Sequence, residues 1–118
     1  MARLSLRIDV SPDRRIGPGK IRLLEQIRST GSIAAAGRSM DMSYRRAWLL
    51  VDQVNRMFRE PAVTTKLGGR EGGGAALTDF GESLVSRYRA MESAAESALR
   101  VDLTALEAAL TAPDPTVT

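Results

Sequence analysis

Cysteine and histidine are both missing from the 118 residues. Without cysteine there is no disulfide framework, no thiolate metal site and no sulfur nucleophile. Without histidine the chain lacks the commonest general base, the commonest transition-metal ligand and the side chain that switches charge near neutral pH. No paired carboxylates stand in a setting that would replace them, so neither an enzyme nor a metal or cofactor site is expected. Aromatics are few: Tyr44, Trp48, Phe58, Phe80 and Tyr88. No apolar run approaches the roughly 20 residues that a membrane span requires. The opening MARLSLRIDV sets arginines among its apolar residues and has no cleavage-site pattern, unlike a signal peptide. A cytoplasmic protein is expected. Its length suits one domain with a modest core.

Charge is divided unevenly. Residues 1–70 carry 14 Lys and Arg against 6 Asp and Glu, a balance of +8, whereas residues 71–118 carry 3 against 8, a balance of −5. A basic front half points to a polyanionic partner, and the acidic rear half to another task. Charge alone does not separate DNA from RNA or an anionic membrane surface.

The most informative stretch runs from Thr30 to Phe58. Ser32 is placed to cap a short helix whose Ile33, Ala36, Gly37 and Met40 share one side. The small residues at 34 to 37 admit a closely crossing neighbour. Met40-Asp41-Met42 forms a brief connection, and Ser43 then caps a longer helix. There Ala47, Leu50, Val51, Val54, Met57 and Phe58 make an apolar stripe, while Arg45, Arg46, Asp52, Gln53, Arg56 and Arg59 face elsewhere. Two helices joined in this way, the second opening Ser43-Tyr44-Arg45-Arg46, form a helix-turn-helix candidate. Paired helices in small bundles also carry surface arginines and bind nothing, so the flanking sequence must supply the context.

Leu4, Leu6, Ile8 and Val10 alternate with polar residues as in a half-buried strand. Ser11-Pro12-Asp13 ends it, and Arg14-Arg15-Ile16-Gly17 reads as a basic connection. Pro18 suits a first helical position, with Ile21, Leu24 and Ile27 on the buried side of a helix reaching about Thr30. After Pro61, Val63, Thr65 and Leu67 alternate as a short strand, and Ala75 and Leu77 fit a second. Between them the seven residues from Gly68 to Gly74 are too rich in glycine for regular structure. Strand, loop and strand behind a helix-turn-helix outline a wing, with Lys66 at its base and Arg70 at its tip able to touch a phosphate backbone. The glycines do not make a phosphate-cradling P-loop, because Gly19-Lys20 is followed by Ile21 and lacks the earlier glycine. Asp79-Phe80-Gly81 copies a kinase triplet without any companion motif.

A long helix is predicted from Thr78 or Asp79, where Asp79 and Glu82 resemble a capping box. Leu84, Tyr88, Met91, Ala95 and Ala98 recur at the spacing of a seam for a partner helix. Leu99, Leu103, Leu106 and Leu110 then take over in a second register. Either one helix drifts about its axis, or Asp102 caps a separate short one. The boundaries so read are 1–78 for a DNA-binding domain, 79–111 for a helical dimerisation element and 112–118 for a disordered tail.

Thr30-Gly31-Ser32-Ile33, Ser43-Tyr44-Arg45-Arg46-Ala47-Trp48, Val54-Asn55 and the stretch from Gly68 through Leu77-Thr78 together resemble the N-terminal domain of the ModE family. Those are molybdate-responsive bacterial transcription regulators. The resemblance covers about residues 15 to 100, and a weaker likeness extends to LysR-type regulators. It implies an α+β, mostly α fold: a winged helix-turn-helix with an N-terminal strand, a β-hairpin wing and a long C-terminal dimerisation helix. It also implies a homodimer that presents two second helices to an inverted repeat. The sequence departs from the family pattern where Asp41 replaces a glycine in the turn and Arg45-Arg46 replace lysine-serine. Nothing matches the oxyanion-binding modules that follow this domain in ModE proteins, so molybdate sensing is not carried over, and no residue cluster marks another effector.

The expected interface with double-stranded DNA comprises Ser32, Ser43, Tyr44, Arg45, Arg46, Trp48, Lys66 and Arg70. Arg45 and Arg46 are suited to grip guanine O6 and N7, Tyr44 to meet a thymine methyl or a phosphate, and Ser32, Lys66 and Arg70 to hold phosphates. Trp48 either borders that surface or packs beneath the wing, with partial burial favoured. The expected dimer surface comprises Leu84, Tyr88, Met91, Ala95, Ala98 and Leu99. A rival reading keeps the same scaffold as a protein-interaction module that docks another regulator or a sensor subunit.

Overall fold

The computed structural model describes residues 2–66 and 74–112. Within them a mostly helical α+β chain carries two separate two-stranded antiparallel sheets. The first sheet pairs β1 (Ile8–Ser11) with β2 (Arg14–Ile16), Ile8 lying opposite Ile16. This corrects the sequence reading twice. Residues 2–7 have no strand pairing, and the supposed basic connection is itself a strand. A register shift between Asp9 and Ser11 breaks the alternation, leaving Val10 exposed. Three residues with two arginines are too few to display a period of two, although Ile16 goes into the core.

Helix α1 (Pro18–Thr30) starts where proline forgoes a backbone N–H that the first turn cannot use. It buries Ile21, Leu23, Leu24 and Ile27 and stops at Gly31, whose φ of 71° needs no side chain to be accommodated. Helix α2 (Ile33–Ser39) and helix α3 (Tyr44–Met57) follow the predicted pattern, with Ser32 and Ser43 as caps. Ile33, Ala36 and Gly37 of α2 meet Ala47, Val51 and Val54 of α3 in one core. The crossing is close: a Cβ on Gly37 would lie 3.0 Å from that of Ala47. Asp41, between the two helices, has φ of 56°, in the left-handed region that glycine adopts most readily. Aspartate is among the few other residues that visit this conformation.

Helix α4 (Asp79–Ala98) is capped by Thr78, whose hydroxyl accepts from the Gly81 N–H at 2.9 Å. Val85 and Tyr88 turn into the core. The helix breaks at Leu99, and α5 (Arg100–Ala108) continues with no buried residue. Of the two alternatives left by the sequence, a separate short helix forms, but Leu99 rather than Asp102 stands at its start. The result is elongated. Its extents are 56 × 34 × 25 Å, and the radius of gyration is 17.5 Å, against roughly 13–14 Å for a compact domain of this size.

The second sheet pairs β3 (Val63–Lys66) with β4 (Gly74–Leu77), Lys66 lying opposite Gly74. Three contacts fix this hairpin to the helices. The Asn55 carboxamide of α3 accepts from the N–H groups of Ala62 and Val63 at 2.8 and 3.0 Å and donates to the Val63 carbonyl at 3.1 Å. On the other side, the Ala62 carbonyl accepts from Thr78 N–H at 2.9 Å. It also sits so close to Gly81 that any Cβ there would overlap it. On β4, Ala75 N–H donates to the Gly31 carbonyl at 2.9 Å. Replacing Asn55 with alanine strips the partners from Ala62 and Val63 N–H, two buried residues, and should cost about 1–3 kcal/mol in urea unfolding. Asp52→Ala, which removes only an exposed same-helix pair with Arg56, should cost less than roughly 0.5 kcal/mol. Equal costs would contradict the assignment.

Candidate nucleic-acid interface

Two serines organise the candidate surface. Ser32 Oγ accepts from Ala35 N–H and Ser43 Oγ from Arg46 N–H, both at 3.1 Å, so each satisfies one of the N–H groups that a helix start leaves over. With their oxygens occupied, both hydroxyls retain a proton that can be donated outward. Immediately past Ser43, Tyr44, Arg45 and Arg46 are all exposed. Among the described residues, neither arginine has a carboxylate within salt-bridge distance, unlike Arg56, which pairs with Asp52 at 2.9 Å. Tyr44 and Trp48 meet edge to face with ring centroids 6.2 Å apart. Trp48 is among the exposed large apolar residues, with 37% of its surface open. Lys66 is exposed at the end of β3, whereas Arg70 lies outside the described residues.

The reading from sequence passed over Leu49. Stepping about 100° per residue from the buried row of Ala47, Val51 and Val54 places Arg45, Leu49, Asp52 and Arg56 on the opposite side of α3. Leu49 is 52% exposed there. The signal was available in the helical period, but a leucine beside Leu50 is easily absorbed into the apolar stripe. One groove of about 410 Å³ runs between the β1–β2 hairpin and the far end of α3, lined by Arg14, Arg15, Lys20 and Arg56 among others. Burial, with Arg15 nearby, pushes the Lys20 ammonium below its ordinary pKa. The arginines at the start of α3 are exposed on the first turn of a capped helix.

The residues predicted for a helix–helix seam divide. Tyr88 is corrected: it is fully buried within the chain itself, and its hydroxyl donates to the Leu6 carbonyl at 2.7 Å. A position on the apolar period of a helix does not say which neighbour covers it. Leu84 is half-buried against the same core. Ala95 is half-buried as well, while Met91, Ala98 and Leu99 are exposed. Farther along, Val101 and Leu106 are 81% and 67% exposed. Arg89 ties α4 to Glu25 of α1, at 2.6 and 3.1 Å, and also pairs with Glu92 of its own helix at 2.8 Å. The Arg89 guanidinium, mainly by hydrogen bonding, holds the Glu25 carboxyl below its ordinary value.

Comparison with known proteins places the chain beside ModE and molybdenum-pterin-binding proteins. No family model matches it. It is 43% identical over 99 residues to the molybdenum transport protein ModE of Azotobacter vinelandii, an alignment covering 84% of this chain and 36% of that protein. It is 40% identical over 114 residues to the molybdenum-pterin-binding protein MopA of Rhodobacter capsulatus, covering 97% and 41%. The DNA-binding transcriptional dual regulator ModE of Escherichia coli K12 is 35% identical over 71 residues, covering 60% and 27%. The chain thus spans well under half the length of these curated relatives and resembles a ModE-type fragment. Among the described residues, no helix is long and apolar enough to cross a membrane.

The hold of Arg89 on Glu25 makes the attachment of α4 sensitive to acid. Because folding depresses the Glu25 pKa, its contribution to stability is complete above the ordinary value near 4.5 and is lost as pH falls through the lower folded value. Stability measured by denaturant from neutral pH downward should therefore fall less steeply for Glu25→Gln than for the parent chain. Parallel curves would show that the pair adds nothing to the pH dependence.

Proposed function

We propose that the chain is a sequence-specific DNA-binding transcriptional regulator of the ModE type, built as a winged helix-turn-helix. In this reading residues 1–78 bind DNA, α3 enters a major groove, and the β3–β4 hairpin is the wing. The observation that carries the proposal is the pair Arg45 and Arg46, exposed and without ion-pair partners among the described residues, on the first turn of a helix whose cap and packing are fixed. A helix start is where such motifs meet base edges, and a guanidinium fork matches guanine O6 and N7. Lys66 and Arg70 would hold phosphates on the wing, and Ser32 and Ser43 would do so from the helix starts. The names of the relatives, transcriptional regulators among them, favour a binding protein in the cytoplasm over an enzyme.

The second part of the proposal is a homodimer formed by residues 79–111. Its support is α5, which has no buried residue and exposes Val101 and Leu106, with Leu110 exposed just beyond its end. Exposed apolar surface of this kind is what a partner helix covers. Met91, Ala95, Ala98 and Leu99 would continue that contact, with Leu84 at its inner edge. Two copies related by a two-fold axis would present two α3 helices to an inverted repeat. Sedimentation should give a dimer that Leu106→Lys converts to a monomer. A parent chain already monomeric at high concentration would remove this part.

Selection from random duplexes at moderate salt tests DNA recognition. An enriched sequence is expected, and Arg45→Ala or Arg46→Ala should each cost about 1–3 kcal/mol and relax preference at one position. Uniform weakening across all duplexes would assign that arginine to phosphate. No enrichment at all would favour a protein-interaction module on the same scaffold.

A further inference from the structure

Resting on the DNA-binding reading above, we infer that Leu49 is a specificity-determining residue that reads a thymine methyl group beside the base read by Arg45. Leu49 sits at the centre of the side of α3 facing away from the core, half exposed, with Arg45 one turn before it and Asp52 one turn after. Asp52 and Arg56 neutralise one another at 2.9 Å. That leaves Arg45 and Leu49 as the two groups on this side without a partner among the described residues. Trp48 and Tyr44 flank them and widen the apolar surface. The adjoining cations favour a polyanion over an apolar protein groove. In the major groove the one apolar feature of a base edge is the thymine 5-methyl, and an aliphatic side chain recognises it by contact.

Geometry also sets the spacing. Residues four apart on a helix are separated by about 6 Å along the axis, and base pairs stack about 3.4 Å apart. A helix lying along the groove would therefore place the methyl about one or two base pairs from the guanine gripped by Arg45. The arrangement makes Arg45 and Leu49 a two-letter reader, one polar and one apolar.

The test uses duplexes selected by the full chain. Each thymine within about two base pairs of the selected guanine is replaced singly by deoxyuridine, which lacks only the methyl group. One replacement should weaken binding of the parent chain about fourfold, the effect of one buried methyl. Leu49→Ala should bind the thymine duplex about that much more weakly and respond no further to deoxyuridine. Its melting temperature should match the parent, since the residue is exposed. Indifference of the parent to every deoxyuridine, or an equal response in Leu49→Ala, would overturn the assignment while leaving DNA recognition intact. Failure to retain any duplex would overturn both.

Discussion

The backbone of Ala62 is the point on which the geometry turns. Its N–H is held by the Asn55 carboxamide from α3 and its carbonyl by Thr78 at the start of α4. Two groups buried together must find partners, and here each partner belongs to a different element. The C-terminal half of α3, the root of the β3–β4 hairpin and the cap of α4 are therefore fixed relative to one another by one residue's backbone. Gly81 is part of the same constraint, since only a hydrogen side chain lets the helix approach the carbonyl. The Gly31 carbonyl fastens the other hairpin strand to the end of α1. An interface made of α3 and the hairpin depends on this junction for its shape.

The division of charge acquires a physical sense from that frame. The basic front half includes α3, with its exposed arginines, and the end of β3. Much of the acidic rear half forms α4, packed on the core through Val85 and Tyr88, and α5, which has no buried residue. The elongation of the molecule comes with a helix that buries nothing of its own. Cations exposed on a helix start suit a polyanion with a groove, whereas the exposed apolar residues of α5 suit a helix like itself. In the proposed reading the separation would let one chain meet both partners without placing them on a single surface.

The parts legible in the sequence were those fixed locally. Pro18, Gly31, Ser32 and Ser43 mark helix ends through their own backbone or hydroxyl chemistry, and each stands where expected. The apolar stripe of α3 followed from its period. What escaped was set by neighbours distant in the chain. β2 exists because Arg14–Ile16 finds β1, and Tyr88 is buried because Leu6 and the core cover it. The likeness to ModE proteins drew attention to Val54-Asn55 without giving its reason; the hydrogen bonds to Ala62 and Val63 supply one. Leu49 was hidden by its neighbour Leu50. The resemblance itself rested on scattered segments, and three of them meet in the structure: Gly31 with Ala75, and Asn55 with Ala62 and Val63 beside Thr78.

Backbone amide NMR during titration of the full chain with a short duplex at low salt tests the central claim most directly, because it reports where on the protein the nucleic acid sits. Shifts concentrated at Ser32, from Ser43 through Asp52 and at Lys66, with α5 unaffected, are the predicted result. Shifts confined to α4 and α5, or a spectrum unchanged by duplex, would contradict it.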